Sequence, residues 1–531
     1  MSFISLETSG SVYQTGLTHD MDSSAISESA LPIMENKPVV PPAEPKDEVD
    51  HEGLVDRSKW ISWYLGAPGT LFGTVVGIVL VLCLQQVPSI AQYARENAGF
   101  GDYFHAFGAL YFRALSCVTI PLAFVNVTMC VADIVASKMK LKLRLLSLTC
   151  VATVLAIGQG ALWCHFFSQH FNGSPYILSG SVHGSSIADL EFACPNSTAM
   201  LLQNSTTNEL YCGSGAPSTT EFVTTSPLWA LRPSVVQILN FADAFDEITN
   251  AIYLLIPDNM VSMLENNNVV GLATLAILFG IAFGVSSRRN KGDYRPVDIL
   301  RELHAIFKTM LAYVTAVTPI AIMPLFAAPL LAGTHSVSVD GPRLLVFLGT
   351  FLLAGAIHCL IVLPVLLVVF TGTNPYRFFK TVKDALFYGF SCSSSSKSVP
   401  VATRSMDTLS GNRNVARLSA SIGTCINKSG GALYVSMALV WTFRNAGLYA
   451  EVTFVKMCVI CVLSFVASLA IPPVRTGGVA IVISLFTFLS GVPITYSYSF
   501  LLVAECLLDP LATVMNLWGN LLVARITSFT R

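Results

Sequence analysis

Charge is what this sequence has least of: Lys, Arg, Asp and Glu make up 12% of its 531 residues, about half the share of an ordinary soluble domain. A chain with so few charges, 53% hydrophobic residues and a mean hydropathy of +0.62 cannot cover a water-facing surface and belongs in lipid. A positive excess is lacking too: the net charge is −1 and the pI is about 6.7, which excludes the basic footprint of a nucleic-acid partner. No nucleophile–base pair or phosphate loop stands out, so catalysis is not expected and no metal site is assigned. The N-terminus lacks the zones of a cleaved signal peptide; residues 1–60 are rich in Ser, Pro and acids, as in Pro38-Val-Val-Pro-Pro-Ala-Glu-Pro45, and read as a disordered cytosolic tail.

Most of the 13 cysteines lie inside apolar runs and read as small packing residues. Cys194 and Cys212 differ, because they sit in a polar stretch with the sequons Asn196-Ser-Thr and Asn204-Ser-Thr, and Asn172-Gly-Ser lies upstream. Three glycosylation acceptors beside a possible disulfide pair point to an extracytosolic insert over residues 169–234.

Apolar runs long enough to cross a bilayer, about 20 residues each, begin near Ala67, His105, Leu143, Val269, Met310 and Leu344, and more follow beyond Val415 and Thr453. The spacing predicts an all-α polytopic bundle. Its first three spans fall in 61–168, spans four to six in 235–371, a core in 372–527 and a tail in 528–531. Basic residues cluster in three loops: Lys138, Lys140, Lys142 and Arg144; Arg288, Arg289, Lys291 and Arg295; Arg377, Lys380 and Lys383. All three fall on one side if the N-tail is cytosolic, which puts the glycosylation insert opposite and both termini in the cytosol.

Beyond residue 374, two apolar segments are each broken by residues that a lipid-facing helix excludes: Ser391-Cys-Ser-Ser-Ser-Ser-Lys-Ser-Val-Pro400 and Ile471-Pro-Pro-Val-Arg-Thr-Gly-Gly478. Non-helical backbone at membrane depth persists only where it is buried in protein or lines a wet cavity, so each break reads as a re-entrant hairpin tip. Each is followed by a long helix, near 414–447 and 497–527. The twofold hairpin-plus-helix pattern is an inverted repeat and points to a solute site at the midplane. On the last helix, Glu505, Asp509, Thr513, Asn516 and Asn520 fall within an arc of about 80°. Acids there are costly unless they face protein or water, so the stripe reads as a ligand site, with a helix–helix hydrogen-bonding seam as the alternative. Pro510, having no N–H, is expected to loosen the helix beside Asp509. Asn427-Lys-Ser-Gly-Gly431 interrupts the preceding helix and reads either as an unwound ligand segment or as a glycine kink for close packing.

These motifs resemble the dicarboxylate/amino acid:cation symporter family, which includes the excitatory and neutral amino-acid transporters. Ser393-Ser-Ser-Ser-Lys-Ser-Val-Pro400 is similar to the family's S-S-S-S-A-T-L-P tip, and Asn427-Lys-Ser-Gly-Gly-Ala-Leu-Tyr434 stands where it has N-M-D-G-T-A-L-Y. Ile471-Pro472 and Gly491-Val-Pro493 bracket the second hairpin as I-P and G-L-P do, and the polar stripe is similar to D-x-x-x-D-x-x-R-T-x-x-N-x-x-x-D. The resemblance covers about residues 57–527. It implies eight transmembrane helices plus two re-entrant hairpins, a homotrimer and an elevator motion. It also implies that Asp509 pairs with a substrate amine, that Asn516 and the backbone of Ser393, Ser394 and Ser395 hold a carboxylate, and that Thr513 lines the pocket. Pro472, Arg475, Gly477 and Gly478 then form a hairpin-tip gate.

The departures carry their own expectations. Ala512 replaces the family's arginine, which favours a small neutral amino acid over an acidic one, unless Lys397 or Arg475 supplies the charge for a dicarboxylate. Ser429 and Asn520 replace two sodium-binding carboxylates and Lys428 adds an ammonium, a change that opposes a hard cation. Asn427, Lys428, Ser429, Asn520 and Lys397 therefore form a cation-coupling set or its replacement, in which Lys428 or Lys397 acts as a tethered cation. The expected function is secondary amino-acid symport in the plasma membrane, with Na+ or H+ as the coupling ion and no bound cofactor; an uncoupled anion conductance and a non-transporting relative are the alternatives.

Overall fold

The lipid-facing composition resolves into helices whose ends follow local chemistry. The computed structural model describes residues 63–87, 98–136, 142–173, 200–203, 210–213, 241–265, 267–289, 295–331, 337–407, 412–448, 452–472, 477–490 and 498–529. The expected tail over 1–60, the sequons at Asn196 and Asn204, Cys194, Arg475 and Gly491-Val-Pro493 lie outside the described residues.

Among the described residues, the helices up to residue 331 are α1 (Ala67–Gln85), α2 (Ala98–Ala136), α3 (Lys142–Phe166), α4 (Phe241–Leu255), α5 (Met260–Glu265), α6 (Val269–Arg289), α7 (Arg295–Ala316) and α8 (Thr318–Leu331). Helix α9 (Val337–Ile357) passes through a single π turn at His358–Val362 into α10 (Leu363–Thr371). Small residues let the first group approach closely. A Cβ at Gly77 of α1 would lie 2.9 Å from the Met323 carbonyl oxygen of α8, and one at Gly284 of α6 would lie 2.6 Å from Val135 Cβ of α2. These glycines sit where backbone or branched side chains of the facing helix leave no room for more.

Helix α10 stops and α11 (Pro375–Cys392) starts within Thr371-Gly-Thr-Asn-Pro375. Gly372 takes the left-handed conformation at φ 63°, where a Cβ would be strained. Asn374 then caps α11 by accepting from the Tyr376 N–H at 2.9 Å, and Pro375 occupies the first helical position, where its missing N–H costs nothing. The rest of the chain is α12 (Val399–Asp407), α13 (Arg413–Ile426), α14 (Ser429–Asn445), α15 (Phe454–Ala470), α16 (Gly477–Ser490) and α17 (Tyr498–Ser528).

Among the described residues, six helical segments are long and apolar enough to cross a membrane: Ala67–Gln85, Ala106–Ala136, Leu143–Phe166, Val269–Arg289, Val339–Thr371 and Tyr498–Ser528. A seventh is the pair α7–α8, bent by 51° at Val317. The protein is a multi-pass membrane protein. The broken helices α13 and α14, of 14 and 17 residues, do not reach that length singly.

Two expectations need adjustment. The all-α reading holds for the membrane helices, and within the insert β1 (Met200–Gln203) pairs antiparallel with β2 (Leu210–Gly213), setting the Cys212 backbone opposite Leu201; polar turn-forming residues separate the two short apolar runs in sequence. Pro510 does not open a break, because α17 runs through it as helix.

Two buried clusters converge on α17. One joins α2, α6, α14 and α16 around Leu433, Trp441 and Phe486 with the first half of α17. The other gathers α3 and α10 to α13 around Phe378 and Trp518 with its second half. Phe378 stacks on Trp518 with ring centroids 5.6 Å apart, and the indole N–H donates to the Cys359 carbonyl in the π turn at 3.0 Å.

Candidate functional site

Helix α17 is apolar enough to be buried all round, yet it carries the five polar residues of the stripe. Glu505, Thr513 and Asn520 are buried; Asp509 and Asn516 are half-buried. Two of the broken segments dock on this stripe, one where α13 gives way to α14 and one at the start of α16.

The first contact is at Asn427–Lys428, where φ/ψ of −84°/96° and −119°/36° take the chain out of helix between α13 and α14. The N-terminal N–H groups of a helix have no partner within it. Here Asn516 supplies one from α17: its side-chain oxygen accepts from Gly430 N–H at 2.8 Å and Gly431 N–H at 3.3 Å. That leaves the Asn516 amide NH2, a donor, for another partner. The approach is backbone on backbone, since a Cβ on Gly430 would run into the Ala512 carbonyl. Asn427 and Ser429 pack against Gly519, where a Cβ would stand 3.2 Å from Asn427 Nδ2 and 3.3 Å from Ser429 Oγ. Both those atoms are buried without a hydrogen-bond partner among the described residues, as is Asn520 Oδ1. Buried polar atoms left in this state are costly and mark a place where a further polar group belongs.

Asn520 turns its other atom inward. Its Nδ2 donates to the Ala420 carbonyl at 2.7 Å and to the Thr424 hydroxyl at 3.0 Å, closing two oxygens of α13 with its own hydrogens. Lys428 is buried beside this seam, with Cys425, Cys130 and Asp509 as its electrostatic neighbours.

The second contact is at the start of α16. Glu505 receives two N–H groups at once: Oε1 accepts from Gly478 at 2.7 Å and Oε2 from Val479 at 2.9 Å. A negative group at a helix N-terminus satisfies orphan donors and the helix dipole together. The approach requires glycine, because a Cβ at 478 would lie 2.5 Å from Glu505 Oε1 and 2.9 Å from the Tyr434 ring. Pro472 is buried and faces Gly477, where a Cβ would be 2.6 Å from its ring.

The serine tip lies between α11 and α12. Ser393 adopts a left-handed conformation at φ 47°, uncommon for a residue with a side chain and costing strain that its surroundings hold in place. Ser393, Ser394 and Ser395 are buried, and Ser393 Oγ has no hydrogen-bond partner among the described residues. Ser398 Oγ donates to the Ser394 carbonyl at 2.8 Å and tightens the turn. The supporting helix α11 lies on α17 through Gly389, whose absent Cβ would stand 2.9 Å from Leu517.

The remaining expected residues fall elsewhere. Lys397 is exposed at the serine tip, in contrast to Lys428. Asn172 accepts from Arg444 at the end of α14 at 3.1 Å. Two roles escaped the sequence reading: the double acceptor role of Glu505, and Tyr434, whose buried hydroxyl has no hydrogen-bond partner among the described residues and whose ring lies against Gly478. The signal for Glu505 was the Gly477-Gly478 pair opening an apolar helix, because a double glycine there admits a side chain from outside.

The sequence has relatives among the amino-acid transporters. The chain is 28% identical over 274 residues to neutral amino acid transporter B(0) of Mus musculus, covering 50% of this chain and 47% of that protein. It is 28% identical over 262 residues to the Homo sapiens protein of the same name, covering 49% and 47%. It is 26% identical over 290 residues to excitatory amino acid transporter 1 of Homo sapiens, covering 54% and 52%. The chain thus spans about half the length of the curated relatives it matches. A model of the sodium:dicarboxylate symporter family matches residues 234–529, more than half of the 531-residue chain and the whole stretch in which α11 to α17 meet. On that match the chain belongs to the sodium:dicarboxylate symporter family.

Proposed function

We propose that the protein is a secondary active carrier of small neutral amino acids, working by an elevator motion with altered or lost sodium coupling. The observation that carries the reading is the pair of caps from α17: Asn516 holds the start of α14 and Glu505 holds the start of α16, about 16 Å apart along one helix. Two half-helix N-termini held on one polar stripe form the kind of interrupted-helix site that transporters place at the midplane. In this reading α13–α14 is the eighth span, and α11–α12 and α15–α16 are re-entrant hairpins.

Asp509 pairs with the substrate amine, and the free NH2 of Asn516 with the tip backbone at Ser393, Ser394 and Ser395 binds the carboxylate. Thr513 lines the pocket. Ala512 offers no guanidinium, and the exposed Lys397 is a poor substitute, which favours a neutral side chain. Lys428, buried beside Asp509, serves as the tethered cation, and the Asn520 amide occupies oxygens that a sodium ion would otherwise use. A homotrimer in the plasma membrane with cytosolic termini and a glycosylated insert completes the proposal.

Counterflow tests it. Liposomes holding the full chain and loaded with unlabelled alanine should accumulate labelled alanine transiently, and loading with aspartate should give much less. Equal flux with unloaded liposomes would instead identify a conductance and overturn the carrier reading.

A further inference from the structure

The Glu505 contact is stronger than a positional cap needs to be. Both carboxylate oxygens are engaged by consecutive N–H groups, at 2.7 and 2.9 Å, and the side chain is buried away from water. Among the described residues, the ionisable groups facing it are Asp509, one turn further along α17, and Tyr434 of α14. Helix α16 brings none, since Gly477–Ser490 contains no ionisable side chain. The docked arrangement thus places one acid near another and relies on two backbone donors for its partners.

We infer that Glu505 is a proton-binding latch, holding the first turn of α16 while ionised and releasing it on taking up a proton. A carboxylate accepts at both oxygens, whereas a carboxylic acid presents a hydrogen at one of them. The protonated oxygen accepts from its N–H far more weakly than a carboxylate oxygen does, so the docked turn and the bound proton oppose each other. When two binding events oppose one another, each weakens the other by the same factor. The proton comes from the aqueous face that the moving turn uncovers, it forms the O–H bond of the acid, and the N–H groups of Gly478 and Val479 pass to water.

This deepens the carrier reading and rests on it for one consequence: a proton taken up at Glu505 would accompany each opening of the second hairpin. The latch itself is testable without transport. Hydrogen–deuterium exchange of the full chain in nanodiscs, read by mass spectrometry over the peptide 477–490 and corrected for the pH dependence of intrinsic exchange, measures how often the first turn opens. Protection of that turn should fall by about tenfold or more on acidification, the loss of a charge-assisted hydrogen bond. Glu505→Gln, which always presents one donor, should be open and insensitive to pH. Glu505→Asp should keep the pH dependence at lower protection, and it keeps the test decisive if the glutamine variant does not fold. Protection in the unaltered protein that stays constant over pH, or a glutamine variant that follows the unaltered profile, would overturn the latch. Labelled-alanine counterflow on the same samples separates the two claims: a pH-sensitive turn with no counterflow defeats the carrier reading and leaves the latch standing.

Discussion

Changing Asn520 to Asp tests the replaced cation site with a single nitrogen-for-oxygen exchange. The asparagine NH2 donates to the Ala420 carbonyl at 2.7 Å and to the Thr424 hydroxyl at 3.0 Å. In the aspartate variant the first bond becomes oxygen against oxygen, while the threonine hydroxyl can still rotate to donate. Losing one neutral hydrogen bond and leaving a buried acceptor unpaired costs about 1–3 kcal/mol, and the added buried charge raises that further. The same change assembles a carboxylate and a carbonyl around the space that Nδ2 now fills, a set of hard oxygens suited to a monovalent cation. Sodium should therefore stabilise Asn520→Asp and not the unaltered protein. At ten times its dissociation constant, a bound ion contributes about 1.4 kcal/mol. Thermal unfolding in detergent, with sodium chloride against choline chloride at equal ionic strength, reads this directly. The expected result is a lower midpoint for Asn520→Asp that sodium partly restores, beside an unaltered protein indifferent to the choice of salt. A saturable sodium-specific shift in the unaltered protein would refute the reasoning, since it would mean that an ion binds despite the inward amide.

Other contacts give simpler tests. Asn516→Ala removes the acceptor shared by Gly430 and Gly431 and should lower alanine counterflow by at least about tenfold, the worth of one such buried hydrogen bond, while Asn516→Asp keeps the acceptor but loses the NH2 donor and should weaken substrate binding. Gly478→Ala places a Cβ 2.5 Å from Glu505 Oε1 and should undock α16, seen as faster amide exchange over 477–490. Trp518→Ala loses the stack on Phe378 and the bond to the Cys359 carbonyl, and should cost about 3–5 kcal/mol of stability, visible as a lowered unfolding midpoint in detergent.

The site was legible where polar or helix-breaking residues interrupt apolar sequence, because lipid tolerates few of them and each needs a reason. Asn427–Lys428 does break the helix, the polar stripe does face protein, and Gly477-Gly478 does open a helix. What stayed hidden depends on pairing across distance. Glu505 and Gly478 are 27 residues apart, and no local period says that one caps the other. Asn520 looked like a missing carboxylate, but only its geometry reveals that the substituted NH2 closes two oxygens of α13. Periodicity also could not foresee the bend at Val317, which divides an apolar run into α7 and α8, or the strand pair at 200–213, whose short runs are too brief to stand apart from loop. The two lysines read alike in sequence, and packing alone separates buried Lys428 from exposed Lys397.

The central proposal is that amino-acid carriage by this chain uses a built-in ammonium, in a family named for sodium. Initial rates of labelled-alanine entry into proteoliposomes, measured with an inward sodium gradient and again with choline in its place, test it most directly. The account predicts equal rates in the two media for the unaltered chain and a loss of entry in Lys428→Met. Entry that vanishes in choline, or a methionine variant as active as the original, would contradict it.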